Sequence, residues 1–231
     1  MCGRYTLVTF REQLAEEFDL YEFESFESRY NIAPTQRVPI VRAGEGSGDR
    51  ELAMFKWGLI PHWAKDPANG NRMINARAET AAEKPAFRSA LRRQRCLVPC
   101  SGFFEWKALD AVSGRGKGST KQPYYILRSD ERVFALAGLW DRWQSPDGEN
   151  VGSFTILTTE PNELMRGLHN RMPVIIPREG YALWLDHRMQ DIERLAHLLV
   201  PWAPDGWVAY PVGTRVNNPA FDDPSCIQAV E

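Results

Sequence analysis

A single domain mixing α and β structure, with strands outnumbering helices, is the fold class this chain predicts, and three observations lead there. At 231 residues and 43% hydrophobic content, the chain is long enough to bury a full core. Short runs rich in β-branched and aromatic residues recur between turn signals, while helical periodicity is confined to a few segments. No internal repeat or low-complexity tail divides the sequence, so one domain is expected over residues 2–231.

In chain order, Thr9 with Glu12 three residues later reads as a capping box, and Phe10, Leu14 and Phe18 follow at helical spacing, predicting a helix from Phe10 to Asp19. The segment ending at Pro34 is held extended by that proline and then turns. Strands are expected at Arg37 to Arg42 and Leu52 to Trp57, with Gly44 to Gly48 as a hairpin loop. Trp57, His62 and Trp63 fall close together; Trp63, beside Pro61, Lys65 and Pro67, is either core or an exposed stacking surface. Asn75 to Thr80 has no apolar periodicity and reads as a polar loop. Pro85 opens a second helix with Phe87, Ala90 and Leu91 on one face.

Cys96 to Trp106 looks like one buried strand. Glu105, between Phe104 and Trp106, is either held in an aromatic setting that raises its pKa and suits a general acid, or alternates outward to water. Gly114 to Ser119 has no phosphate-loop spacing and reads as a mobile hairpin tip. Further strands are expected at Pro123 to Arg128, Val133 to Trp140 and Ser153 to Thr159, a short helix from Pro161, helices at Arg178 to Asp186 and Ile192 to Leu199, and a strand around Val208 to Val212. His169 and Arg171 precede the apolar run from Val174; a histidine in a polar loop is the commonest acid/base side chain, although most do nothing catalytic. The polar segment from Arg215 to Pro219 is placed to close over a site.

Composition narrows the function classes. No apolar run is long enough for a membrane span and the N-terminus lacks the apolar stretch of a signal peptide, so neither secretion nor a membrane span is expected. Four cysteines (Cys2, Cys96, Cys100 and Cys226) lack the spacing of a disulfide scaffold or zinc site, which fits a reducing, cytoplasmic compartment and predicts no metal and no cofactor. The net charge of −2 argues against a strongly basic nucleic-acid binder. Residues 72–95 nevertheless carry Arg72, Arg77, Lys84, Arg88, Arg92, Arg93 and Arg95 against Glu79 and Glu83, a local basic surface.

The N-terminus carries the most specific chemistry. Methionine aminopeptidases accept a small second residue, so removal of Met1 leaves Cys2 with an α-amine of pKa about 7.7 to 8 beside a thiol of about 8.5. A 1,2-aminothiol condenses with an aldehyde to an imine, and the thiol then closes a five-membered thiazolidine. That ring closure is intramolecular, with effective molarities of roughly 10^5 M or more available to a well-placed group.

Six ordered segments are similar to one known family: Cys2-Gly3-Arg4-Tyr5, Tyr30-Asn31-Ile32-Ala33-Pro34, Trp57-Gly58-Leu59-Ile60-Pro61, Asn75-Ala76-Arg77-Ala78-Glu79-Thr80, Gly102-Phe103-Phe104-Glu105-Trp106 and His169-Asn170-Arg171-Met172-Pro173. Together they resemble the SRAP (SOS-response-associated peptidase) family, proteins that crosslink to abasic sites in single-stranded DNA during the DNA damage response. The resemblance implies an α+β domain around a distorted antiparallel β-barrel-like core. It implies that Cys2 forms a thiazolidine with the ring-opened abasic sugar and so shields the lesion, a lyase-like chemistry. Asn75 then matches the group that holds the N-terminal residue and adduct, Glu105 the acid/base, and His169 the group that helps open the sugar. Arg4, Arg77 and Arg171 match phosphate or site contacts, for which the planar guanidinium is suited. Pro34 and Trp63 match a surface that stacks on or wedges bases. The implied partner is single-stranded DNA bearing an abasic site, bound by a monomer that joins the nucleoid when engaged. The family's autoproteolysis has only Met1 to remove here. Two other classes use the same residues: a thiol peptidase built on Cys2 and His169, and a non-covalent single-stranded DNA binder using the arginines and Trp63.

Overall fold

The β-rich runs become two sheets. A computed structural model describes residues 2–21, 23, 26–44, 49–109 and 121–230. In order these form β1 (Tyr5–Leu7), α1 (Arg11–Phe18), β2 (Arg29–Ile32), β3 (Arg37–Ala43), β4 (Arg50–Trp57), β5 (Asn75–Arg77), α2 (Ala78–Ala81), α3 (Arg88–Arg93) and β6 (Arg95–Cys100). There follow β7 (Gly102–Ala108), β8 (Lys121–Arg128), β9 (Phe134–Gln144), β10 (Asn150–Thr159), α4 (Glu163–Arg166), β11 (Met172–Pro173), β12 (Ile175–Ile176), α5 (Tyr181–Leu185) and β13 (Trp207–Pro211).

Five strands of the larger sheet close into a ring: β3 pairs with β4 and β6, β6 with β9, β9 with β10, and β10 returns to β4. Four of these contacts are antiparallel, but Ser153 and Phe154 pair with Lys56 and Trp57 in parallel, so the expected antiparallel barrel has one parallel seam. Closure removes free edges and lets inward side chains such as Ile40, Trp57, Leu97 and Phe154 reach zero exposure in one core cluster. The second sheet runs β13-β8-β7-β1-β2.

Cys96 to Trp106 is thus two strands, one in each sheet, rather than one. The chain changes sheet at Ser101, whose N–H donates to Thr6 O (2.9 Å) and whose Oγ lies 2.8 Å from Thr6 Oγ1. Gly102 is required just beyond it, because a Cβ there would lie 2.3 Å from the Tyr125 ring.

Local differences have local causes. Helix α1 buries Leu14 and Phe18 as expected, but Phe10 precedes the first turn and is 75% exposed. No side chain caps that helix, since Thr9 Oγ1 donates to Gln13 Oε1 (2.9 Å) instead. Asn75 to Thr80 is not a loop: β5 lies along β10 in parallel and α2 follows directly. Ile192 to Leu199 is a 3-10 turn over Glu193–Leu198 rather than an α-helix, and Arg178–Gly180 is 3-10 before α5. Arg95, counted in the basic surface, is 3% exposed and donates to the carbonyls of Leu91, Arg92, Trp184 and Asp186. The hairpin tips expected around Gly46 and Gly116 fall outside the described residues.

Candidate functional site

Cys2 lies where the two sheets meet. Chain termini usually fray, yet Cys2 has zero exposure and belongs to the main core cluster. Phe104 N–H donates to Arg4 O (3.0 Å), extending the β1–β7 pairing toward the terminus, and the Cys2 thiol points at the same carbonyl at 3.8 Å. From the barrel side, Asn75 Nδ2 donates to Cys2 O at 2.8 Å. Alternation along β5 sends Ala76 into the core and leaves Asn75 and Arg77 on the other face. The Asn75 Oδ1 is buried with no hydrogen-bond partner among the described residues.

Glu105 stands in β7 opposite Tyr124 and is 2% exposed, which decides between the two readings of its position. Simple alternation misleads because β7 is covered on both faces: Phe103 joins the main core, while Phe104 packs with Tyr125, Val212, Val216 and Cys226. Burial lifts the Glu105 carboxyl from an ordinary 4.5 to about 7, against the Trp106 N–H and the charge of Lys121, which pull it down. Burial also pushes the Cys2 thiol far above its usual range, and the Glu105 carboxylate adds to that rise. At neutral pH the resting site therefore holds a protonated thiol beside a carboxyl close to its midpoint.

His169 follows α4, which is capped by Asn162 accepting from Met165 N–H (2.9 Å), and His169 N–H donates back to Met165 O (2.8 Å). Its Nδ1 lies 3.0 Å from Arg171 N and 3.3 Å from Arg171 O; accepting the shorter bond, from the Arg171 N–H, leaves the ring proton on Nε2. Burial lowers its pKa, so the ring is a neutral donor at pH 7. Lys121 is electrostatically coupled to both His169 and Glu105, a residue that sequence reading missed because it lies at the start of β8 with no motif around it.

The three arginines separate. Arg171 forms a bidentate pair with Glu79 (2.8 and 2.8 Å) and donates to Thr158 O (2.7 Å), fixing the His169 loop to α2 and β10. Arg4 donates to Asn31 Oδ1 (2.8 Å), Val216 O and Asn217 O (3.2 Å). Both guanidiniums, read from the sequence as phosphate or site contacts, thus donate to protein acceptors, while Arg171 Nε is buried with no hydrogen-bond partner among the described residues. Arg77 is exposed and makes no side-chain hydrogen bond among the described residues.

Trp63 is 56% exposed at the tip of a loop that is itself firmly held. Gly58 starts the loop with φ +128°, and a Cβ there would meet Gly70 O at 2.6 Å. Leu59 N–H donates to Met73 O (3.1 Å), Ile60 N–H to Ser153 Oγ (2.7 Å), His62 N–H to Asp141 Oδ2 (2.8 Å) and Trp143 Nε1 to Ala64 O (2.7 Å). An exposed indole on an anchored loop removes the core alternative for Trp63. Pro34 is half-buried in the turn after β2, and Thr35 N–H donates to Trp57 O (2.8 Å), rooting that turn at the same place as the Trp63 loop. Among the described residues no group of three or more His, Cys, Asp or Glu side chains is arranged to hold a metal, and no helix is long and apolar enough to cross a membrane.

Comparison with known proteins gives one consistent result. The family described as SOS response associated peptidase (SRAP) matches residues 1–219. The chain is 41% identical over 232 residues to abasic site processing protein YoqW of Bacillus subtilis, covering 99% of this chain and 100% of that one. It is 29% identical over 236 residues to abasic site processing protein HMCES of Xenopus tropicalis, covering 90% of this chain and 68% of that one. A crystal structure of a protein from Bacteroides thetaiotaomicron superposes with a TM-score of 0.72 at 34% identity, over 85% of this chain and 82% of that chain.

The raised pKa of Glu105 has a consequence for stability. A carboxyl whose folded value exceeds its unfolded one favours the folded state fully below the unfolded pKa, and that contribution is lost as pH rises through the folded pKa. A rise from 4.5 to about 7 corresponds to about 3 kcal/mol. Relative to Glu105→Gln, the wild type should lose stability of that order between about pH 4.5 and pH 8. Urea unfolding of both proteins across this range measures it, and a constant difference would show that the carboxyl is not perturbed.

Proposed function

The chain belongs to the SOS response associated peptidase family, and from that premise we propose that it processes abasic sites in single-stranded DNA by forming a thiazolidine through Cys2 once Met1 is removed. The observation that carries this reading is the placement of Cys2: fully buried, its main-chain carbonyl on Asn75 and its thiol within electrostatic reach of Glu105. An amine, a thiol and an acid/base of pKa about 7 in one buried site are what an aldehyde needs to become a thiazolidine.

The reaction runs as follows. His169, neutral with its proton on Nε2, hydrogen-bonds the sugar ring oxygen as the C1–ring-oxygen bond breaks and the O1 hydroxyl proton passes to that oxygen, leaving the aldehyde. The freed Cys2 amine adds to the aldehyde carbon and passes one N–H proton to the former carbonyl oxygen, giving a carbinolamine, with Asn75 Oδ1 accepting an N–H of that amine and Nδ2 holding the Cys2 carbonyl. Protonated Glu105 then gives its proton to the carbinolamine hydroxyl, which leaves as water, and a protonated imine (iminium) forms. The resulting Glu105 carboxylate takes the thiol proton as sulfur bonds to the imine carbon and closes the ring. One water is released overall and Glu105 ends as it began. A thiol that is protonated at rest requires such a base at the moment of attack. Outside the site, Arg77 supplies a phosphate contact, and Trp63 with Pro34 stacks on or wedges the flanking bases, at roughly 1 to 3 kcal/mol per stacked base.

Mixing the protein with an abasic oligonucleotide should give an intact mass equal to the sum of the two less one water, resistant to denaturation. Cys2→Ala should give none, and a full-strength stable adduct from that variant would remove the proposal. In single-turnover crosslinking, Glu105→Gln should be slower by about 10^2 to 10^4-fold with affinity for intact DNA retained. His169→Ala should slow the abasic reaction but matter much less for a simple aldehyde that needs no ring opening; equal slowing on both would assign it another task. Arg77→Glu should weaken binding to intact and abasic strands alike and reduce the salt slope by roughly one. An unchanged slope would place Arg77 off the phosphate backbone.

A further inference from the structure

After β13 the chain returns across the outer face of the second sheet as a strap, residues 212–227, that the chemistry above leaves unused. Val216 and Cys226 are fully buried from it against Phe104 and Tyr125. The strap is tied down by Asn31, a polar residue with zero exposure, whose Nδ2 lies 3.2 Å from Val216 O, 3.1 Å from Asn218 O and 2.7 Å from Phe221 O. Asp222 Oδ1 in turn accepts from the backbone N–H groups of Tyr30 (2.5 Å) and Asn31 (2.9 Å). Buried amides and carboxylates with this many partners fix geometry as well as fold.

One strap residue reaches both strands of the site. Asn217 O accepts from Arg4 Nη2 (3.2 Å), two residues beyond Cys2, and Asn217 Oδ1 accepts from Trp106 Nε1 (2.7 Å), the neighbour of Glu105. The β1–β7 ladder itself pairs only Tyr5 with Phe103 and Thr6 with Gly102. Beyond the Phe104 to Arg4 bond, Asn217 continues the tie toward the terminus. Alternation along β7 puts Trp106 on the opposite face from Glu105, so this tie is made from behind, away from the thiol and carboxyl.

We infer that Asn217 is a positioning residue: by holding Arg4 and Trp106 together it sets the approach of the Cys2 thiol to Glu105, without touching the substrate. The inference rests on the crosslinking reading for its kinetic consequence but not for its structural one. A displacement of about 1 Å between reacting groups can cost about 10^2-fold in rate.

The test measures two quantities on the full chain. The first is iodoacetamide alkylation of each cysteine by peptide mass, with buried Cys96 and Cys100 as internal references. The second is the crosslinking rate at saturating abasic oligonucleotide. Asn217→Ala should raise Cys2 alkylation about tenfold with both references unchanged, and slow crosslinking by about 10- to 100-fold with affinity for intact DNA retained. Asn217→Asp, which keeps the acceptor for Trp106, should restore both. Unchanged Cys2 alkylation, an equal rise at all three cysteines, or an aspartate variant that behaves like alanine would each overturn the inference. If the wild type forms no adduct while Asn217→Ala still exposes Cys2 alone, the crosslinking reading fails and the positioning of Cys2 stands.

Discussion

The buried indole of Trp57 is the interaction on which the site depends. An indole N–H taken out of water must find an acceptor, and that of Trp57 donates to Ile74 O at 2.9 Å, immediately before Asn75. Its ring packs edge-on against Tyr5 (5.3 Å, 65°), three residues after Cys2, and stacks with Phe154 (6.4 Å, 12°) on the parallel seam of the barrel. Its backbone N–H and carbonyl engage Gln36 O (2.9 Å) and Thr35 N–H (2.8 Å), beside Pro34, and Gly58 follows it into the Trp63 loop. The Cys2 strand, the Asn75 strand, the Pro34 turn and the Trp63 loop are therefore rooted on one side chain. Truncating it would leave a large cavity and an orphaned carbonyl at the centre of all four.

What the sequence disclosed divides along the range of the interactions. The chemistry of Cys2 is contained in two adjacent groups and is legible without a fold. The strands and α1 were legible because their periodicity is local, as Leu14 and Phe18 show. Glu105 was not decidable, since alternation cannot tell that both faces of β7 are covered. Nor was the break at Ser101, because a buried strand changing sheets has the same apolar run as one that does not. The partners of Arg4, Val216 and Asn217, and that of Arg171, Glu79, lie far along the chain, so no spacing rule announces these contacts. Asn31 looks from the sequence like one polar residue in a turn-bound run, and the strap carbonyls together with Arg4 give its burial a reason.

A thiolate, not a thiol, is the species that oxidises and alkylates. Enclosing Cys2 beside Glu105 holds the sulfur protonated and so keeps it chemically quiet in the resting protein. The same enclosure brings the carboxyl to a pKa of about 7, at which it can release and take up a proton with little penalty in either direction. Low reactivity at rest and acid/base competence thus have one physical origin, the exclusion of water from this corner of the second sheet.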